Sequence, residues 1–338
     1  MTSSLLVVGP AQHGVTAAAL EQARVPGAGR VVRHEHLGPL EEVVATLPDG
    51  PVHVHVTDRL FGVTPAAAGE FCVGLARVRP LVVTLHDLPQ SSDGALNHPR
   101  RSAAYAQIAN AAAAVVLASA HERRLLLACV ADRLGAGTAA EVDARTHVIP
   151  LPVPEFPPAP VARHDAPLCG AAVLGFLYPG KGHAAVLDAL TGLPAEIGLD
   201  AFGRASDGHE DLVEALTRQA ATSGRVFAVT GFLPEAHLLQ RLRSPVVPVA
   251  PHEHLSASGS INYWIGAGRR PLVPRSDYTA ELLARNPGAV RVYDRLALAL
   301  RDALADPSST WLPPGYRAGP SLAQTVSAVR AVVAEVSS

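Results

Sequence analysis

Short apolar runs alternate with stretches of helical period along the whole chain. In the first half, strand candidates fall at 4–8, 52–56, 81–85, 114–118 and 147–150, and segments such as 65–77 and 121–134 carry apolar residues at helical spacing. Strands that alternate with helices predict a parallel, doubly wound sheet with its ligand crevice at the C-terminal strand ends. Polar and glycine residues fall at those ends, at 9–14, 58–62, 86–90 and 119–122. Periodicity then stops, and prolines at 150, 152, 154, 157, 158, 160 and 167 mark a stiff connector. The alternation restarts after it, with strands near 171–175, 197–203, 226–231, 246–249, 271–274 and 289–293, and helices at 183–190, 210–223, 235–241 and 260–267. An amphipathic helix at 321–336 closes the pattern.

The pattern predicts an α/β chain of two Rossmann-like domains, over 1–152 and 168–318, joined by a proline-rich linker at 153–167. A terminal helix within 319–338 is expected to pack back on the first domain. A length of 338 residues fits, because single cores stop growing below that size. Two such sheets on either side of a linker put the expected ligand in the cleft between them.

Composition narrows the classes. The formal charge is −2 and no basic tract is interleaved with aromatics, which argues against a nucleic-acid partner. No window approaches an uncharged apolar run of membrane-spanning length. The first residues lack the basic flank and apolar stretch of a signal peptide, so the expected location is the cytoplasm. Cys72, Cys129 and Cys169 lie in apolar patterns without metal spacing and are expected to be buried free thiols. Of the 28 lysine and arginine residues, Lys181 is the one lysine. In a chain that uses arginine wherever it will serve, a surviving lysine points to a place where a compact ammonium fits and a guanidinium does not.

Lys181 lies between Gly180 and Gly182, after a strand and just before a helix start. Glycines let backbone approach an anion, the helix terminus favours negative charge, and the ammonium adds a point charge. An ordinary surface lysine is the alternative. A second helix start follows Ser256, Ser258, Gly259 and Ser260, whose amides and hydroxyls form either a phosphate cradle or a plain serine N-cap.

Six pieces in order carry a family resemblance: VTLHD at 83–87, Tyr105 with AVVLASAHE at 114–122, VIPLPV at 148–153, GFLYPGKG at 175–182, GFLP at 231–234 and SGSINYWIGAGRRP at 258–271. No single piece is specific, but their sequence resembles the retaining GT-B glycosyltransferases of family 4 over most of the chain. The resemblance implies a GT-B fold with an acceptor-side first domain and a donor-side second one, and metal-independent transfer from a nucleoside-diphosphate sugar. It also implies that His86 contacts the donor sugar near its anomeric carbon and that Lys181, Ser258, Gly259 and Ser260 hold the diphosphate.

The chain departs from the family's pattern at three positions. Where the family has an arginine this chain has Phe176, with Arg204 or Arg269 as stand-ins. The family's two glutamates would fall at Ser256 and Trp264. Glu253 is the nearest acid for the sugar role of the first, and Asn262 the nearest polar group for the ribose role of the second. Gly231, Phe232 and Leu233 offer backbone to the base or form a plain turn. Gly14, with His13 and Asp87, marks loops where an acceptor or donor approaches; an ordinary βα turn is equally consistent at Gly14.

Three His-x-His arrays, at 34–36, 53–55 and 252–254, tempt a metal reading, but none has HExxH spacing and no Asp-x-Asp motif occurs. No metal and no cofactor are expected. Arg100–Arg101 and Arg123–Arg124 make either a basic patch, for an anionic acceptor or weak membrane-surface contact, or solvated helix faces. The expected function is transfer of a mannose or glucose from a GDP- or UDP-sugar to a sugar, oligosaccharide or lipid-linked hydroxyl, with GDP-mannose slightly preferred on no residue's evidence. The rivals are a GT-B-type sugar-nucleotide epimerase and a catalytically silent glycosyltransferase-like partner protein.

Overall fold

The computed structural model describes residues 3–27, 29–159 and 165–337; positions 160–164 of the expected linker lie outside the described residues. The chain divides into two compact units, Met1–Leu151 with Leu322–Ser338, and Pro152–Ser321.

The first unit is built on six parallel strands, β1 (Ser4–Val8), β2 (Arg30–His34), β3 (Val52–Val56), β4 (Leu81–Leu85), β5 (Ala114–Leu117) and β6 (Thr146–Val148), in the spatial order β2-β1-β3-β4-β5-β6. Every residue of β1, β3, β4 and β5 is buried, as expected of parallel strands covered on both faces. The two-residue alternation of β3 sends Val52, Val54 and Val56 into a core shared with Leu75, Ile108 and Leu126 from flanking helices. It leaves His53 and His55 on the opposite face. Helix Leu322–Val336 lays Val329, Val332 and Val333 on Val82 and Val116, and its Thr325 donates to the Pro150 carbonyl at 3.1 Å.

The second unit has β7 (Gly170–Leu174), β8 (Gly198–Phe202), β9 (Phe227–Val229), β10 (Val246–Val249), β11 (Leu272–Pro274) and β12 (Arg291–Tyr293), all parallel, in the order β12-β11-β10-β7-β8-β9. The chain winds outward in one direction from β7 and in the other from β10. The C-terminal ends of these two neighbours are therefore the switch point of the sheet, the place where ligands bind in open α/β sheets.

Two expectations need correction. Cys72 and Cys129 are buried, but Cys169 is exposed, because it precedes β7 at the sheet's rim. β2 was not anticipated: it is an edge strand with one buried residue, Val32, among exposed arginines, so it shows no apolar run. Among the described residues no helix is long and apolar enough to cross a membrane.

Candidate functional site

The loop after β7 is shaped by glycine. Gly175, Gly180 and Gly182 all have positive φ, and a Cβ on Gly182 would collide with the Pro251 carbonyl in the loop after β10. The two switch-point loops are thus in direct contact, joined also by the Glu253 amide donating to the Gly180 carbonyl at 3.0 Å. Lys181 between them is only 5% exposed, which corrects the surface-lysine alternative. Its Nζ lies 2.7 Å from His252 Nε2 and donates to Ser260 Oγ at 3.4 Å. It lies so close over the chain that a Cβ on Gly175 would sit 3.1 Å from it.

When Lys181 is an ammonium it only donates, and His252 then accepts through Nε2 and is neutral. Burial pushes Lys181 down to about 7 and holds His252 well below its usual range, the lysine charge adding to the effect on His252. Among the described residues no carboxylate lies within ion-pair distance of Nζ. His183, the first residue of the helix that follows, is likewise held neutral by burial, then by Lys181, at about 3. The lysine is therefore desolvated, caged by neutral groups and short of a counter-charge, an arrangement that an incoming anion completes.

Ser260 brings in the second anion-favouring element. Helix Gly259–Gly266 begins here, with Ser258 as N-cap accepting from the Ile261 amide at 3.4 Å and its hydroxyl 3.0 Å from Ser260 Oγ. Ser258 is thus the N-cap, and what the helix start offers an anion is the first-turn amides, which have no partner within the helix. A Cβ on Gly259 would meet nothing within 4 Å, so those amides are approachable. Glu253 is exposed, with a carboxylate oxygen 3.8 Å from the Cβ position of Gly180.

Other expected groups separate. Arg204 stacks its guanidinium 5.0 Å over the ring of Phe176 while pairing with Asp207, so a cation does stand beside the position where the arginine is missing. Arg269 does not qualify as a stand-in. It is fully buried, its N–H groups go to the Thr310, Leu242, Ser244 and Val246 carbonyls and the Thr310 hydroxyl, and burial lowers it to about 9. Asn262 is buried and its amide donates to the Pro152 carbonyl at 3.1 Å, so this side chain is committed to the chain itself. Trp264 packs on Phe202 in the core, and Ser256 is buried. Gly231 has φ +71 and Phe232 is 65% exposed, with Leu233 half-buried below it.

In the first unit, His86 follows β4 and is half-buried, its Nε2 3.0 Å from Nδ1 of His55. Desolvation lowers His86 to about 4; Asp87 opposes this and His13 adds to it. Asp87 takes the left-handed conformation, φ +51, and is exposed. The turn is pinned from beneath: Tyr105 donates to the His86 carbonyl at 2.7 Å, and Arg101 donates to the Asp87 carbonyl at 2.5 Å. Arg101 also grips Asp58 with two bonds of 3.1 Å and Asp93 at 2.7 Å. His13 caps helix Gly14–Ala23 through Nδ1, and Gly14 is exposed with open space about its Cβ position.

The basic-patch expectation is corrected in part. Arg101 is held in this network and Arg123 pairs with Asp143 at 2.6 Å, which leaves Arg100 and Arg124 as the exposed members. Among the described residues no group of three or more histidines, cysteines or acids is placed to hold a metal ion. His55 and His252, met in the sequence only as halves of His-x-His arrays, prove to be the immediate partners of His86 and Lys181.

No family model and no curated protein matches this chain by sequence. Solved structures do match by shape. HepE of Anabaena, solved with UDP-glucose, superposes with a TM-score of 0.68 at 15% identity, covering 99% of this chain and 98% of that one. Sucrose-phosphate synthase of Thermosynechococcus elongatus gives 0.64 at 15% identity over 100% and 95%. A glycosyltransferase of Rickettsia africae gives 0.58 at 12% over 99% and 98%. The fold is accordingly the two-domain GT-B architecture, two Rossmann-like units each with six parallel strands.

Proposed function

We propose that this chain transfers a hexose, glucose or mannose, from a UDP- or GDP-sugar to the hydroxyl of a sugar, oligosaccharide or lipid-linked acceptor. The reading includes retention at the anomeric carbon and no need for a metal ion, both carried by the resemblance to family 4, and a cytoplasmic site of action. The observation that carries it is the desolvated Lys181, without a counter-charge, at the β7/β10 switch point beside the start of helix Gly259–Gly266.

In this reading Lys181, Ser260 and the amides at Gly259 and Ser260 meet the diphosphate and stabilise the charge that grows on it as it leaves. Arg204 on Phe176 supplies a second cation, Glu253 meets the sugar, and Gly231 to Leu233 border the base. His86 gives the reacting sugar a hydrogen bond. As the bond from the anomeric carbon to the diphosphate breaks, the acceptor oxygen bonds to the same face of that carbon, and its proton passes to the leaving phosphate oxygen.

UDP-glucose is the donor to test first, because HepE was solved with it. The test is incubation with UDP-glucose or GDP-mannose and a panel of hydroxyl acceptors in EDTA, with the anomeric proton followed by NMR. A product with the donor's configuration is expected. An inverted product refutes retention, and absence of transfer with any donor refutes the enzyme.

A second reading, a catalytically silent partner protein, draws on the burial of Trp264 and Asn262 at the positions expected to meet the ribose. Nucleotide binding without transfer in the same assay would favour it.

A further inference from the structure

The histidines of the first unit carry an inference that deepens the role of His86 and rests on that reading. His55 is buried, and its ring stacks on that of His86 with centroids 5.1 Å apart and 22° between planes. At 3.0 Å, His55 Nδ1 and His86 Nε2 share one proton: one nitrogen donates and the other accepts. Partner accounting decides which. Among the described residues the other nitrogen of His55, Nε2, is buried without a hydrogen-bond partner. A stranded N–H is costlier than a stranded acceptor, so the proton of His55 belongs on Nδ1.

Desolvation keeps both rings neutral, with His53 and then His86 adding to the effect on His55. The groups facing the pair are His53, which shares a proton with Thr84 at 2.8 Å, together with His13 and Asp87. With Nδ1 of His55 donating, Nε2 of His86 is the acceptor and the proton of His86 sits on its own Nδ1.

We infer that His55 is a positioning residue that locks His86 in the Nδ1–H tautomer, so that His86 meets an oxygen of the sugar as a hydrogen-bond donor and not as a base. A donor-only His86 agrees with a path in which the acceptor's proton goes to the leaving phosphate. It also assigns a task to the His53-Val54-His55 array that no metal requires.

The direct test uses the full chain labelled with ¹⁵N-histidine, where ring nitrogen shifts distinguish a protonated from a bare nitrogen. Near neutral pH, His86 is expected to be protonated at Nδ1 and bare at Nε2; the reverse overturns the inference. Two variants provide a second readout, each first shown to be folded by thermal unfolding. His55→Asn keeps a donor in the place of Nδ1 and is expected to turn over UDP-glucose within about threefold of wild type. His55→Asp presents an acceptor, moves the proton of His86 to Nε2, and is expected to slow turnover at least about tenfold with UDP affinity unchanged. Equal turnover of the two variants overturns the inference. Wild-type turnover in His86→Ala overturns both this inference and the reading it rests on, whereas a reversed tautomer overturns this inference alone.

Discussion

Binding of UDP-glucose should weaken as pH rises through neutrality, because the free protein loses the Lys181 ammonium there. Burial lowers this amine from 10.5 to about 7, and the neutral rings of His183 and His252 stay neutral throughout, at values well below 6.5. A bound diphosphate at hydrogen-bond distance favours the charged form, so the complex retains the proton that the free protein has given up. The sign follows: affinity is full where the free amine is charged, below about 7, and falls above it.

With a free-state value of about 7, the charged fraction drops from about 0.76 at pH 6.5 to about 0.03 at pH 8.5. Affinity should therefore fall about 25-fold, or about 1.9 kcal/mol, over that range. The diphosphate of a nucleotide sugar is a diester and does not titrate there, so the dependence belongs to the protein. Isothermal titration calorimetry in two buffers of different ionisation enthalpy reads both quantities, and uptake of nearly one proton per UDP-glucose is expected at pH 8.5. Constant affinity from pH 6.5 to 8.5, or the same slope in Lys181→Met, would refute the reasoning.

Lys181→Ala should cost about 2–4 kcal/mol of transition-state stabilisation, and Lys181→Arg should not restore most of it, because Nζ is lodged between Gly175, His252 and Ser260 where a wider guanidinium displaces backbone; steady-state kinetics with an arginine variant within about twofold of wild type would contradict this. Activity should persist in EDTA, and complete loss restored by Mg²⁺ or Mn²⁺ would oppose the metal-free reading. Arg101→Leu leaves Asp58, 5% exposed, without its counter-charge, and should destabilise the chain by about 3 kcal/mol in chemical denaturation, with Arg101→Lys recovering little because it cannot bridge both carboxylate oxygens. An Arg101→Leu variant as stable as wild type would remove that network from the account of the His86 turn.

The double-wound architecture was legible because buried parallel strands are written as apolar runs, as in Leu81–Leu85 and Val246–Val249. β2 escaped because an edge strand needs only one buried side chain. Lys181 is marked out by three local signals, its solitude, its flanking glycines and the helix that follows. Its partner His252 lies far along the chain, and the two meet only because β7 and β10 are neighbours in the sheet. His55 and His86 meet in the same way through the pairing of β3 with β4. A local pattern such as His-Val-His reports a shared strand face, not what stands across from it, so the sequence alone suggests a metal more readily than a second histidine. Arg101 looked like half of a surface patch because the carboxylates that bury it, Asp58 and Asp93, belong to other segments.

The most direct test of a Lys181-centred diphosphate site is thermal unfolding of wild type and Lys181→Ala in the presence of UDP, GDP, ADP and dTDP, with EDTA throughout. A ligand at a hundred times its Kd stabilises the native state by about 2.7 kcal/mol. At least one nucleoside diphosphate is expected to raise the wild-type Tm by several degrees and to leave Lys181→Ala nearly unmoved. No shift with any of the four, or an equal shift in the alanine variant, would contradict the site.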